Sequence, residues 1–264
     1  DSRKFTAGDY AKYDGKIPVR VGYEVLDIVE KFYYNSTIED TTVRQILWLE
    51  IINSFHIADG KVYEFVGGNP SGQPLTTIFN SVANLLMISY VGACNWVDSG
   101  GELRLYSKIF SVCRFSVFGD DNLIAYPEEY DFIFGQQKLE KTMPLYVGME
   151  YTNESKSDKA LNARDITQVS FLKRGFRYDH GKWMCPLEMR TIEETLYWEK
   201  STSYESEMKE RIEATLFEIA QHGEYIFNRM APVLLRACQE LYSYTPTNSR
   251  YHVALDSATG LAWA

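Results

Sequence analysis

Apolar positions along the chain change period several times, and each change marks an element. Lys4-Phe5-Thr6-Ala7-Gly8-Asp9 reads as a short strand ending in an acid. From Val19 to Tyr34 apolar residues at 21, 25, 28, 29 and 32 keep helical spacing, and 43, 46, 47 and 51 do so in a second helix. The segment from Phe55 to Val66 alternates around Asp59-Gly60, a turn pair suited to a hairpin. Gly67-Gly68-Asn69-Pro70-Ser71-Gly72 is a loop, feeding a helix from about Thr76 to Tyr90. Ser111 to Tyr126 gives two β-prone runs flanking Gly119-Asp120-Asp121-Asn122, a hairpin with an acidic tip. A helix over Tyr130 to Lys141 precedes a short strand near Tyr151, and Val169 to Arg174 starts a further strand or hairpin. From Pro186 the pattern turns helical: Leu187 to Lys200, Tyr204 to His222, and Glu224 to Tyr242, the last interrupted at Pro232. Mixed α/β character before Asp179 and helical character after it set the expected domain boundary there.

Composition narrows the classes. With 264 residues, 19 Tyr and 14 Phe, the chain can bury one large core or two modest ones, and global disorder is excluded. No stretch approaches the ~20 apolar residues of a membrane span, and no signal-peptide pattern opens the chain. An opening at Asp1 without methionine reads as a piece of a longer product. Cys94, Cys113, Cys185 and Cys238 lack CxxC spacing, which points to free thiols in a reducing compartment rather than zinc ligands or a disulfide framework. His56, His180, His222 and His252 are equally dispersed. A net charge of −9 weighs against a nucleic-acid partner, because phosphate binding normally leaves a basic footprint. Local chemistry must carry any such reading.

Three local patterns do. Adjacent carboxylates at a tight turn repel each other and turn chemistry needs only one, so Asp120-Asp121 reads either as a plain solvated turn or as a pair of ligands, which the other two patterns must decide. Asp9 ends a strand and Asp14 follows five residues later. Carboxylates at adjacent strand ends form a hard, oxygen-only site suited to Mg²⁺, and two such ions about 4 Å apart clamp the attacking and leaving oxygens of an in-line phosphoryl transfer. Lastly, Ser71-Gly72 leads into Thr76, Asn80 and Asn84, which share one face of the following helix.

In that order, DxxxxD, SGxxxTxxxN and GDD, the chain resembles motifs A, B and C of RNA-dependent RNA polymerases of the picornavirus-like group. Val147-Gly148-Met149 through Lys156-Ser157 looks like motif D, and Phe171-Leu172-Lys173-Arg174 like motif E, while Cys185-Pro186 to Trp198 is similar to the start of that group's thumb. The resemblance implies an α+β fold. It would comprise a palm over 1–179, with a ferredoxin-like antiparallel sheet, helices on one face and a small fingers-side insertion near 53–68, then a mostly helical thumb over 180–264. It implies metal ligation by Asp9 and Asp120, with Asp121 auxiliary, by two Mg²⁺ ions for which Mn²⁺ can substitute. Asp14, Ser71 and Asn80 would meet the incoming ribose, with Thr76 on the same face and Gly72 giving the loop freedom to approach the nucleotide. Lys156 would protonate the pyrophosphate leaving group. Lys173 and Arg174 would hold the primer backbone. Phe118 stands where most relatives carry Tyr before GDD and is expected to fill the same apolar space.

The implied partners are RNA template and primer, nucleoside triphosphates, an N-terminal fingers region upstream of Asp1, and other viral replication proteins. Without those fingers the segment is expected to be inactive alone. The implied location is the host cytoplasm at membrane-associated replication complexes. Two alternatives remain at this stage. One is a catalytically incompetent scaffold that uses the sheet as an RNA platform. The other is a reverse transcriptase, against which Asp14 and Asn80 speak, since DNA-making relatives fill the ribose-facing space with a bulky group.

Overall fold

Strand β1 (Arg3–Tyr10) lies inside a four-stranded antiparallel sheet and carries the element order that builds it. The computed structural model describes residues 3–156, 163–179, 181–197 and 204–261. After β1 come the short α1 (Tyr13–Lys16), α2 (Val19–Phe32) and α3 (Ile38–Ile52). A capping box starts α3: the Thr37 hydroxyl accepts from the Asp40 N–H at 3.1 Å, and the Asp40 carboxylate accepts from the Thr37 N–H at 3.3 Å. The hairpin β2 (Asn53–Ala58) and β3 (Lys61–Val66) turns at Asp59-Gly60 as the alternation predicts.

The long α4 (Thr76–Asp98) runs eight residues past its expected end. It also corrects a sequence expectation: by length and composition it is apolar enough to cross a membrane. Here it is a packed helix, against α2, against β4 (Arg114–Phe118) and against the later helices α7 and α8. Its buried residues include Asn80, Asn84 and Asn95. Two short helices that the sequence pattern missed, α5 (Leu103–Tyr106) and α6 (Ile109–Val112), lead into β4 and β5 (Asp121–Pro127).

The helix expected over 130–141 is two, α7 (Asp131–Phe134) and α8 (Gln136–Val147), broken at Gly135, and β6 (Tyr151–Asn153) completes the sheet. Sheet order is β4-β5-β1-β6. With α4 crossing from β1 to β4 and α8 from β5 to β6, this is the split βαβ arrangement of a ferredoxin-like fold. Both crossover helices pack on each other and on the sheet, so they cover one face. Phe79, Met87, Ile88, Ile124, Tyr126, Phe134, Leu139 and Met149 fill the core between.

The compact units part between Leu172 and Lys173, seven residues before the boundary read from the sequence. Of the strand or hairpin expected to start at Val169 to Arg174, the strand does not form, because Leu172 and Lys173 turn left-handed at φ of 54° and 60°, whereas Arg174 opens an antiparallel pairing with Leu187 that continues into a hairpin. The second unit begins with the hairpin β7 (Arg177–Asp179) and β8 (Lys182–Met184), followed by α9 (Met189–Thr195), α10 (Tyr204–Ala220), α11 (Glu224–Tyr242) and α12 (Tyr251–Leu261). Ser157, Trp198 and the end of the helix expected to reach Lys200 lie outside the described residues. The break expected at Pro232 is absent, since α11 runs through it, and α12 had no sequence counterpart. Ile212, Leu216, Ile219, Phe227, Cys238 and Ala254 form this unit's own core.

Candidate active site

Asp9 is placed by its own strand. Gly8 pairs with Asn122 of β5 and with Asn153 of β6, and Asp9 with Thr152. A Cβ on Gly8 would sit 1.9 Å from the Tyr151 ring, so only glycine lets that ring lie across the sheet beside Asp9. Asp120 is placed by a two-residue hairpin turn between Phe118 and Asp121, whose first central residue, Gly119, takes φ of 63°. Asp9, Asp14, Thr76, Asn80, Asp120, Asp121 and Lys156 line one cleft of about 640 Å³ in the first unit. The sequence separated these residues by more than a hundred positions, and the sheet brings them together.

Charge in the cleft is unbalanced. Partial burial raises the Asp120 carboxyl above its ordinary value, Asp9 and Asp14 raise it further by repulsion, and backbone hydrogen bonds offset part of this. Lys156 answers the excess: its Nζ lies 2.8 Å from Asp9 Oδ2, and that hydrogen bond raises the ammonium above its ordinary value. Among the described residues no three His, Cys, Asp or Glu side chains are gathered tightly enough to enclose a metal ion. The donor set nonetheless fits a hard cation. It is all oxygen, Asp120 is raised by burial and then by the carboxylates beside it, and Asp9 already holds a cationic group.

Beside the carboxylates stands a polar group whose members the sequence reading had named together. Asp14 accepts from Ser71 Oγ on one oxygen and from Asn80 Nδ2 at 2.6 Å on the other. Asn80 Oδ1 accepts from Asn69 Nδ2 at 3.0 Å, and Asn69 Oδ1 from Gln73 Nε2 at 3.0 Å. The loop backbone joins in, with the Asn69 N–H donating to Asp14 O at 2.7 Å. Ser71 opens on an adjoining cleft of about 370 Å³, and Gly72 turns the loop at φ of 93°. Thr76 reaches the cleft, but its hydroxyl donates back to Gln73 O at 2.8 Å, a bond within the loop. Phe118 lines the cleft exposed, rather than filling an apolar space as expected.

Lys173 and Arg174 belong to the second unit. There the Arg174 guanidinium forms a forked ion pair with Glu218, at 2.9 and 2.7 Å, and donates to Cys185 O at 2.9 Å. Its donors are directed inward to the protein. Lys173 contributes its carbonyl, which accepts from the Glu188 N–H at 2.8 Å. All four cysteines are free thiols, with Cys113 and Cys238 buried.

Several residues that hold the site had no role assigned from the sequence, although Asn84 was read on the same helix face as Thr76 and Asn80. Asn84, fully buried on α4, donates from Nδ2 to the carbonyls of Gly119, Asp120 and Asp121 at 3.0, 2.9 and 3.3 Å. Tyr10 donates to Asn84 Oδ1 at 3.1 Å, and Tyr13 to Asn80 O at 2.8 Å. Ser81 Oγ accepts from the Gly119 N–H at 2.8 Å. Tyr151 donates to Asn122 Oδ1 at 2.6 Å, whose Nδ2 reaches Gly8 O at 3.3 Å. The available signal was the spacing of Asn80 and Asn84, one turn apart on an otherwise apolar helix.

A ferredoxin-like sheet with carboxylates at its first strand and at its central hairpin turn has the architecture of a polymerase palm. The family described as viral RNA-dependent RNA polymerase matches residues 1–242. The chain belongs to that family, in its picornavirus-like group. Family membership carries a general dependence on divalent metal. The chain is 30% identical over 249 residues to the replicase polyprotein of acute bee paralysis virus, covering 90% of this chain and 13% of that one. It is 28% identical over 246 residues to the genome polyprotein of rice tungro spherical virus (strain Vt6), covering 89% and 7%. Its fold matches a sicinivirus 3Dpol RNA-dependent RNA polymerase with a TM-score of 0.72 at 17% identity, covering 99% of this chain and 52% of that chain. The chain thus spans about half the length of that polymerase and a small part of the polyproteins.

Proposed function

We propose that the first unit is the palm and the second the thumb of an RNA-dependent RNA polymerase, joining nucleoside monophosphates from triphosphates to an RNA 3′-hydroxyl on an RNA template. The observation that carries this reading is the single cleft lined by Asp9, Asp120, Asp121, Asp14, Asn80 and Lys156 in a chain of this family. The hairpin at 53–66 would be the fingers-side insertion.

Asp9 and Asp120, with Asp121 beside them, would hold two divalent ions, Mg²⁺ or Mn²⁺. Bound there, the ions supply charge neutralisation at the attacking and leaving oxygens. The 3′-hydroxyl gives up its proton to solvent as its oxygen bonds to the α-phosphorus and the bond to the pyrophosphate oxygen breaks, and the leaving pyrophosphate takes a proton. Lys156 can serve that last role: it lines the cleft, carries a proton as an ammonium, and its side chain is 72% exposed toward solvent. A cation on Asp9 competes with the ammonium for the carboxylate and frees it for the leaving group.

Asp14, Ser71 and Asn80 read the sugar. Asn80 has a second N–H and Asp14 further lone pairs beyond the bonds between them, so the pair can both donate to and accept from a 2′-hydroxyl. That chemistry favours RNA over DNA precursors and disfavours a reverse transcriptase. Lys173 would lie along the primer, with Arg174 acting through its pairing to Glu218 rather than by direct contact. RNA, nucleotides, the remainder of the polymerase and other replication proteins are the partners this implies, in the cytoplasm of an infected cell at membrane-associated replication complexes.

The test is sugar discrimination. In a polymerase carrying this segment, Asn80→Ala should narrow the ratio of ribo- to deoxyribonucleotide single-turnover rates at least several-fold, from the loss of a bond of about 1–3 kcal/mol. An equal fall for both sugars would remove the ribose role.

A further inference from the structure

Resting on that reading, we infer that Asn84 is a positioning residue for the acidic turn, linked through Tyr10 to the strand that bears Asp9. A two-residue turn fixes its own backbone, and Asn122 at its end ties β5 to Gly8 of β1, but the carbonyls of the tip still need a hold from the helix side. Asn84 supplies that. Its amide nitrogen meets three successive carbonyls, those of Gly119, Asp120 and Asp121, so it grips the turn from beneath with the side chains of both aspartates left to the cleft. Its carbonyl oxygen accepts from the hydroxyl of Tyr10, the residue next to Asp9.

The two acids are thereby joined through three groups: β1 at Tyr10, α4 at Asn84, and the hairpin turn. The Tyr10 hydroxyl donates to Asn84 Oδ1 at 3.1 Å while Nδ2 donates to the three carbonyls, so Asn84 has one orientation, nitrogen toward the turn. Ser81, three residues earlier on α4, accepts the Gly119 N–H and guards the same turn from its other side. A helix core at this position would ordinarily take leucine. An asparagine that is fully buried with both ends of its amide engaged is a geometric device, since its net contribution to stability is small compared with its directionality.

The test uses Asn84→Leu, which keeps volume and removes the grip, with Tyr10→Phe as the milder variant, each in a polymerase carrying this segment. Mn²⁺ binding without nucleotide is followed by electron paramagnetic resonance, alongside single-turnover incorporation and thermal melting. Asn84→Leu should weaken Mn²⁺ binding at least about threefold and slow incorporation at least about tenfold, out of proportion to any change in melting. Tyr10→Phe should shift both in the same direction by less, and add nothing in the Asn84→Leu background, because both act through one link. A folded Asn84→Leu with Mn²⁺ binding and rate within twofold of the parent would overturn the inference, as would additive effects of the two variants. Should Asn84→Leu fail to fold, unchanged Mn²⁺ binding and rate in Tyr10→Phe overturns it alone. A parent protein that incorporates no nucleotide would refute the polymerase reading instead, and the Mn²⁺ comparison would still judge the link.

Discussion

Arg164→Met removes the one guanidinium that ties the segment after β6 to the strand of Asp9. Arg164 is buried, and its Nη1 meets both oxygens of Glu154, at 2.7 and 2.9 Å. Its Nη2 donates to Ala7 O at 3.3 Å on β1 and to Gln136 Oε1 at 3.0 Å on α8, and its carbonyl accepts from the Phe5 N–H at 2.9 Å. Glu154 is itself 13% exposed and accepts from the Ser170 N–H at 3.2 Å. Methionine fills the volume but leaves a buried carboxylate with a single backbone donor, a change that costs about 3–5 kcal/mol. Taking a urea slope of about 2 kcal/mol per M, the midpoint should fall by about 2 M. Domain stability of about 5–15 kcal/mol leaves the variant folded in water. Urea denaturation, with hydrogen exchange of the β1 amides to assign the loss to the first unit, measures it. Glu154→Gln in the same chain keeps the acceptor for Ser170 and removes the stranded charge, so it should restore at least about 1.5 kcal/mol. A cost under about 1 kcal/mol for the single change, or no recovery in the double, would refute the reasoning.

Asp120→Asn should abolish nucleotide incorporation yet raise the melting temperature of the chelator-treated protein at pH 7. The sign follows from the raised carboxyl: the folded chain binds that proton more tightly than the unfolded one, so the ionised group subtracts stability at neutral pH, and the gain should vanish as pH falls below the ordinary aspartate range. Lys156→Leu should slow the single-turnover chemical step, with nucleotide affinity nearly intact, and an unchanged rate would return Lys156 to a solvated surface lysine. Arg174→Ala should lower the stability of the second unit by about 1–3 kcal/mol through the loss of Glu218, while the salt dependence of RNA binding stays within one phosphate contact of the parent.

The sequence made β1, α2, α3 and both major hairpins legible because their patterns are local: period-two or period-3.6 burial bounded by turn residues. Where a tertiary contact decides the conformation, pattern reading failed. Residues 172 and 173 look β-prone but adopt left-handed backbone, and α11 continues through Pro232 because its packed face outweighs one missing donor. The site divides the same way. Asp9 and Asp14 stood out by their spacing past a strand, Asp120 by the second acid beside it at a tight turn, and Ser71 and Asn80 by their place in the loop and helix that follow. Asn84 and Asn122 could not be distinguished from solvated amides, because their partners are backbone carbonyls, which no sequence spells out. Arg174, assigned to the primer backbone through the resemblance to motif E, also pairs with Glu218, 44 positions away, a partner that no local pattern announces.

Helix α4 carries Asn80 and Asn84 one turn apart, a rise of about 6 Å along its axis. One residue meets the group assigned to the sugar, the other the turn assigned to the metals. The rod is stiff between them, so selection and chemistry share a single mechanical ruler. A slip of the helix against its packing at Met87 or Val91 would move both fittings by the same distance in the same direction. Core substitutions there should therefore trade rate and sugar choice together. An engineer seeking to loosen selectivity without losing speed would have to work from the loop at 69–73 or from Asp14 on α1, the parts of the sugar-facing group that the rod does not carry.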